Sequence, residues 1–264
     1  MNPIRHYVRY RFEGKTGSAL LEEGLVFPIH GDCFADGGKT GEVFRLEEVE
    51  LLCPCVPSKI LAVGLNFRSH LGNRPLPEKP ELFWKPVSAL LDPGAAIRIP
   101  PEAKTVHSEG ELVLVIGRRA HRVSREEAEA CIFGYTCGND VSERDWQRND
   151  LQWWRAKGAD TFAPLGPAIA IGLDWRKSRL ETRINGTVQQ SQVLSDLIFD
   201  PAEIVSHASR AVTLLPGDVI YTGTPGTTGA IRPGDVVEVE IEGVGCLRNP
   251  VAAGGAEGRP GGAS

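Results

Sequence analysis

Residues 109–117 read EGELVLVIG. The run from Leu112 to Ile116 predicts a β-strand, with Gly117 ending it. Residues two apart on a strand point to the same face, so Glu109 and Glu111 share a face with Val113 and Val115. Two carboxylates held side by side repel one another. One reading solvates that face, as on a half-exposed antiparallel strand. The other buries the pair in part, and a divalent cation offsets the repulsion.

The second reading needs a further acid from elsewhere in the chain. Asp140, in GYTCGNDVSERD (134–145), is the candidate, because the short strand FGYTC could deliver it from a sheet edge. Three carboxylates without thiolate or imidazole favour a hard cation, Mg²⁺ or Mn²⁺ in its place. His107 falls on the same face if the strand extends back to it. A His-Glu-Glu set would suit zinc or iron, and the simpler reading makes His107 a strand-end residue or a partner of a ligand.

Around this strand the pattern is mostly β. HYVRYRFEG, ALLEEGLVFPI and EVFRLEEVELL predict short N-terminal strands, and CPCVPSK (53–59) reads as a linker before the apolar strand KILAVGLN. Asn185-Gly186 marks a tight hairpin, and LPGDVIYTG and RPGDVVEVEIEG each place a Pro-Gly-Asp turn before a strand. Ser124 with Glu127 forms a capping box for a helix ending before Gly134. Asp200-Pro201 opens a second helix whose stripe runs through Ile204, Val205, Ala208, Ala211, Val212 and Leu215 to a stop at Pro216-Gly217. A third, short helix begins at Ser142. The absence of βαβα alternation argues against a doubly wound sheet or a TIM barrel.

The chain has 264 residues, 41% hydrophobic and 24% charged, which is ordinary for a soluble globular protein. A net charge of −5 offers no attraction to nucleic acid or an anionic membrane, and no apolar run is long enough to span a bilayer. MNPIRHYVRYRFEGK lacks the apolar stretch of a signal peptide, so a cytoplasmic location is expected. The six cysteines, with only Cys53 and Cys55 close together, read as reduced and mostly buried thiols rather than a zinc site. Trp146, Trp153 and Trp154 read as packing or interface residues.

Eight segments in order, KILAVGLNFRSH, PELFWKPVSAL, HSEGELVLVIG, GYTCGNDVSERDWQ, KGADTFAPLGP, INGTVQQ, LPGDVIYTGTPGTTG and GDVVEVEIEGVG, make residues 58–250 resemble the fumarylacetoacetate hydrolase superfamily. The resemblance implies an α+β, mostly β fold: a mixed β-roll or pseudo-barrel with few helices. The N-terminal strands and the linker predict a β-rich domain at 1–55, the small polar run AAGGAEGRPGGAS predicts a flexible tail at 252–264, and the resemblance implies a catalytic domain at 56–251 and a homodimer. It assigns Mg²⁺ to Glu109, Glu111 and Asp140. It carries Lys157 over as the lysine facing the substrate and His70 as a catalytic histidine on a flexible lid. Arg144, Gln147 and Thr224 match positions around the substrate carboxylate, and Lys85 matches a recurrent lysine grouped with these substrate-binding residues.

These residue types suit a 2-oxo or 2-hydroxy-dienoic acid, whose enolate a metal can stabilise. Burial and the cation are expected to lower the Lys157 pKa, with nearby carboxylates opposing this. TGTPGTTG (222–229) can offer backbone N–H groups to a carboxylate and lacks a P-loop ending. Hydrolytic and decarboxylating relatives commonly carry a glutamate three residues after the lid histidine. Here that position is Asn73, which cannot act as a base, although Glu78 and Glu81 lie near in sequence. This tilts the expectation from hydrolysis toward proton transfer, and the carboxylate triad with Lys157 makes it an isomerase or decarboxylase of 2-oxo or 2-hydroxy-diene diacids, such as a 2-hydroxyhepta-2,4-diene-1,7-dioate isomerase. An acylpyruvate or fumarylacetoacetate-type C–C hydrolase, an oxaloacetate decarboxylase and a degenerate 2-oxo-acid-binding protein are the alternatives.

Overall fold

The glutamate-bearing segment forms the strand Gly110–Ile116 in a computed structural model, which describes residues 3–35 and 37–255. All seven residues of the strand are buried. Val113 and Val115 pack on one face with Ile60, Ala163 and Tyr221, and Leu114 and Ile116 pack on the other with Ile204, Val205 and Leu214. Cover on both faces explains the unbroken LVLVI run where a half-exposed strand would alternate.

This strand lies between Ile132–Asn139 and Val219–Tyr221, antiparallel to both. From Val219–Tyr221 the sheet continues through Ile60–Gly64, which is parallel to it, to Glu81–Lys85. In the other direction it passes from Ile132–Asn139 through Ala163–Ile171 to Arg5–Phe12, Lys15–Glu22, Leu25–Pro28 and Phe44–Arg45. The N-terminal strands thus extend the main sheet. A five-stranded sheet of Thr187–Val193, Arg179–Ile184, Val236–Ile241, Gly245–Ala253 and Ile97–Ile99 packs beside it, and Val106–Ser108 leads a third sheet of three strands. Five α-helices occur among the described residues, the longest being Pro201–Ser209. The chain is mostly β with few helices, as expected. None of these helices is long and apolar enough to cross a membrane.

Local signals hold at the turns. Asn185 and Gly186 both take positive φ between paired strands, as a two-residue hairpin requires. Ser124 and Glu127 form the reciprocal capping box; the third helix starts later than Ser142, which pairs with His107 in a strand, and Glu143 caps it over Arg144–Asn149. The two helices opened by Ser124 and Asp200 both end earlier than expected. The first covers Arg125–Glu129, because Ile132 already pairs with Ile116. The second stops at Ser209, because Leu214 is drawn into a β-bridge with Ala120.

The CPCVPSK run is not a free linker. Cys53 and Cys55 are buried in the main core, and the Cys53 N–H donates to Asp92 Oδ1 at 2.6 Å. All six cysteines are unpaired, and only Cys246 is exposed. Pairing at the C-terminal end runs through Ala253, which matches Ile99. Residues 256–264 of the expected tail lie outside the described residues.

Candidate active site

Strand register delivers the three acids to one point. Glu109 sits at the break between Val106–Ser108 and Gly110–Ile116, and Asp140 directly follows Ile132–Asn139. Gly110 pairs with Asn139 and Glu111 with Gly138, so the Asp140 N–H reaches the Glu109 carbonyl at 2.9 Å. Asn139 Oδ1 accepts from the Glu109 N–H at 2.9 Å and fixes the same corner. The glycine between the glutamates is required by packing: a Cβ there would lie 2.0 Å from Thr182 Oγ1 of the neighbouring sheet. One carboxylate oxygen from each of Glu109, Glu111 and Asp140 falls within 4.8 Å of the others. The residues are 4%, 1% and 1% exposed, so the face is buried rather than solvated.

Three cations hold this cluster. Lys157 Nζ, from the helix Trp154–Gly158, donates to Glu109 Oε2 at 2.6 Å and Asp140 Oδ2 at 2.5 Å. Lys85 Nζ donates to Asp140 Oδ1 at 2.5 Å and also to the Lys157 carbonyl. Arg144 Nη2 lies 2.5 Å from Glu109 Oε1 and donates to Thr228 Oγ1 at 2.7 Å. Glu111 has no ion-pair partner among the described residues. Its Oε2 accepts from the Gly223 N–H at 2.6 Å. Gly223 has φ +102°, and a Cβ there would meet Asn66 Cβ at 2.8 Å, so only glycine lets that N–H approach.

The ionisation pattern follows from these contacts. Burial opposes charging of Glu109, but Lys157 and then Arg144 outweigh it and hold the carboxyl below its ordinary range. Burial, with Asp140 and Glu109 adding repulsion, pushes Glu111 well above that range. Burial also pulls Lys85 down despite Asp140. Lys157 differs from the expectation. Burial pulls it down too, but the attraction of Asp140 and Glu109 together is larger and raises its pKa.

A cavity of about 510 Å³ opens over the cluster, lined by Glu109, Glu111, Asp140, Lys157, Arg144, Gln147, His70 and Thr224. Two expected residues behave differently from their assignments. Lys85, fully buried, is not among the residues lining the cavity, and its Nζ is committed to Asp140 and the Lys157 carbonyl rather than presented to a substrate. The Thr224 hydroxyl donates to the Gly110 carbonyl at 2.8 Å, so its proton is not directed at a ligand. His107 is outside the acid cluster, its Nδ1 lying 2.8 Å from Thr228 Oγ1. His70 Nδ1 lies 2.5 Å from the Gly226 carbonyl. A carbonyl only accepts, so Nδ1 carries the proton and Nε2 is the basic nitrogen of the neutral ring.

A family model described as fumarylacetoacetate (FAA) hydrolase, C-terminal, matches residues 59–252. The chain belongs to the fumarylacetoacetate hydrolase family. A second model, described as Rv2993c-like, N-terminal, covers residues 5–54, so the two matched segments meet in CPCVPSK. Among solved members of the superfamily, 2-hydroxyhepta-2,4-diene-1,7-dioate isomerase from Mycobacterium marinum is 41% identical, with a TM-score of 0.89 over 95% of this chain and 99% of that one. Maleylpyruvate hydrolase from Sphingobium sp. SYK-6, in complex with manganese(II) ion and pyruvate, is 26% identical, with a TM-score of 0.78 over 95% and 100%. Oxaloacetate tautomerase fahd2, mitochondrial, from Xenopus laevis is 38% identical over 79% of this chain and 70% of its own length.

The donor set fits the hard divalent cation expected from the resemblance to the fumarylacetoacetate hydrolase superfamily. It offers only carboxylate oxygens, and Glu111 is a buried acid with no cationic partner among the described residues. Several residues around the site escaped the sequence reading. Gln190, buried, accepts from the Gly110 N–H at 3.1 Å and donates to Thr224 Oγ1 at 2.7 Å and to the Pro225 carbonyl at 2.6 Å, tying TGTPGTTG to the glutamate strand. Its only sequence signal is its place in INGTVQQ. Phe83 and Trp153 form an aromatic wall of the cavity, with rings 5.3 Å apart, so Trp153 is more than a packing residue. Arg74, Arg148 and Thr228 complete the rim.

Proposed function

We propose that the chain is a divalent-cation-dependent isomerase of 2-hydroxy-diene or 2-oxo dicarboxylic acids, acting by proton transfer between the C2 oxygen and a carbon of the chain. The observation that carries this is the composition of the cavity. Among the described residues lining it, the acids are Glu109, Glu111 and Asp140, and His70 is the one imidazole. The family and its isomerase and tautomerase relatives support an enzyme of isomerase or lyase type.

Arg144 and Gln147 would receive the carboxylate next to C2. Arg144 donates to Gln147 Oε1 at 2.8 Å, which leaves the Gln147 NH₂ as a second donor for that carboxylate. A divalent cation held by Glu109, Glu111 and Asp140 would supply positive charge to the oxygens of the 2-oxo acid. Lys157, held protonated by two carboxylates, has a third N–H to direct at the C2 oxygen. His70 Nε2 accepts the C2 hydroxyl proton, and a proton is returned at C5. The 2,4-diene becomes a 3-ene with a C2 carbonyl. One proton leaves oxygen and one joins carbon, so neither water nor a redox partner is consumed.

Hydrolysis would call on an acid beside His70 to orient it and help activate water. Asn73 is exposed and outside the cavity lining, as are Glu78 and Glu81. A second reading, keto–enol tautomerisation of oxaloacetate, is favoured by the Xenopus relative and uses the same groups with a shorter proton path to C3. The test is a substrate panel of the dienoate, oxaloacetate and acylpyruvates, assayed with Mg²⁺ or Mn²⁺ and with chelator. Cation-dependent isomerisation without C–C cleavage is expected. Acylpyruvate cleavage without isomerisation would reverse the assignment.

A further inference from the structure

The second end of a dicarboxylate also finds a partner in the cavity. All three lining acids lie in the buried cluster, while Val63, Leu65, Phe83 and Trp153 form an apolar stretch of wall. Arg74 lines the same cavity from the exposed segment that follows the helix Arg68–Leu71. That helix is anchored: His70 Nδ1 donates to the Gly226 carbonyl at 2.5 Å, and the Gly226 N–H donates to Ser69 Oγ at 3.1 Å. Arg74 itself has no ion-pair partner among the described residues. The other rim arginine, Arg148, is paired with Asp145. A guanidinium without an acid, in a cavity that also carries an apolar stretch and the Arg144–Gln147 donors, suits a ligand with anions at both ends of a hydrocarbon spacer.

We propose that Arg74 binds the distal carboxylate of the substrate and is the residue that makes the site selective for 2-oxo diacids over 2-oxo monoacids. The assignment rests on the 2-oxo-acid reading above and adds to it the group that recognises the far end. An arginine on an exposed segment of the lining draws the anionic end in, while the apolar stretch accepts the unsaturated carbons between the two carboxylates.

Calorimetric titration of the full chain in excess MgCl₂ with 2-oxoheptanedioate and 2-oxoheptanoate, which differ only at the far end, tests it. The wild-type protein is expected to bind the diacid about tenfold more tightly or better, the range of one charge-assisted contact. Arg74→Met should erase that preference with the monoacid affinity unchanged, Arg74→Lys should restore part of it, and Arg148→Met should retain it. Equal wild-type affinity for the two ligands, or a preference that survives Arg74→Met, would overturn the role of Arg74 and leave the 2-oxo-acid reading standing. Equal loss of both ligands in Arg74→Met would make it a structural residue and also overturn the role. Failure of the wild-type protein to bind either ligand would remove the 2-oxo-acid reading, and this inference with it.

Discussion

Lys85 reaches Asp140 Oδ1 at 2.5 Å, in a pair whose side chains are 0% and 2% exposed. Lys85 also donates to the Lys157 carbonyl, so one buried ammonium orients both an acid and the backbone of the residue facing the cavity. Removing one partner of such a pair leaves a buried charge with fewer contacts. Lys85→Met is expected to cost about 3 kcal/mol of stability. Lys85→Met combined with Asp140→Asn should cost less than the sum of the two single changes. Urea unfolding of the four proteins measures this coupling, and strict additivity would mean that the pair does not act as a unit.

Lys157 sits between Glu109 and Asp140, the carboxylates assigned to the cation. Its ammonium therefore competes electrostatically with a divalent ion for the same oxygens. Lys157→Met should bind Mg²⁺ or Mn²⁺ more tightly while losing on the order of 10²–10⁴-fold in turnover. Titration of metal binding beside kinetics separates the two effects. Loss of metal affinity together with activity would show that Lys157 supports the cation site instead.

Glu111 is the acid of the cluster without a cationic partner among the described residues. Glu111→Gln preserves its size and an acceptor for the Gly223 N–H while removing its charge. In chelator the variant should be as stable as the wild-type protein or more so, because the lost charge was buried beside Asp140 and Glu109. Added Mn²⁺ should raise the melting temperature of the wild-type protein and leave that of the variant unchanged. Equal metal-induced shifts in the two would exclude Glu111 as a ligand.

The core thiols give a pH dependence separate from the site. Burial, with Asp32 adding repulsion, pushes the Cys33 thiol up to about 12. The sign follows from linkage. An acid with a raised folded-state pKa is protonated in both states below its unfolded value. As pH climbs beyond that value the unfolded state loses its proton first, so stability falls until the folded pKa is passed. Stability should therefore decline from about pH 8.5 toward 12, and Cys33→Ala should make that decline shallower by up to about 1.4 kcal/mol per pH unit. Denaturant titrations across this range provide the check. In the native protein at pH 8 a thiol reagent should modify Cys246 rapidly and the other five cysteines only on unfolding.

Local chemistry made much of this legible in the sequence. The capping box at Ser124, the Asn185-Gly186 hairpin and the E-x-E strand each depend on residues a few positions apart. The direction from which a side chain approaches depends on distant packing. Nothing in FWKP says that Lys85 is committed to Asp140, because the strand Glu81–Lys85 reaches that place through its pairing with Ile60–Gly64. The commitment of the Thr224 hydroxyl to Gly110 and the strut formed by Gln190 arise where separate sheets meet, across contacts of 114 and 80 residues. The early stop of the Pro201–Ser209 helix has the same cause, since a β-bridge to Ala120 outcompetes a continuing apolar stripe. The raised Lys157 pKa shows the limit of residue-type reasoning. Burial and neighbouring charge act in opposite directions, and only the distances to Glu109 and Asp140 decide between them.

The most direct experiment follows 2-hydroxyhepta-2,4-diene-1,7-dioate by NMR in D₂O with purified protein and Mg²⁺, alongside a chelated control and Glu111→Gln. Proton transfer by His70, with Lys157 holding the C2 oxygen, predicts the 2-oxo-3-ene product with deuterium at C5, an intact seven-carbon chain, and near-complete loss of the reaction in both controls. Cleavage products, release of CO₂, or an isomerisation rate indifferent to chelator and to Glu111→Gln would contradict it.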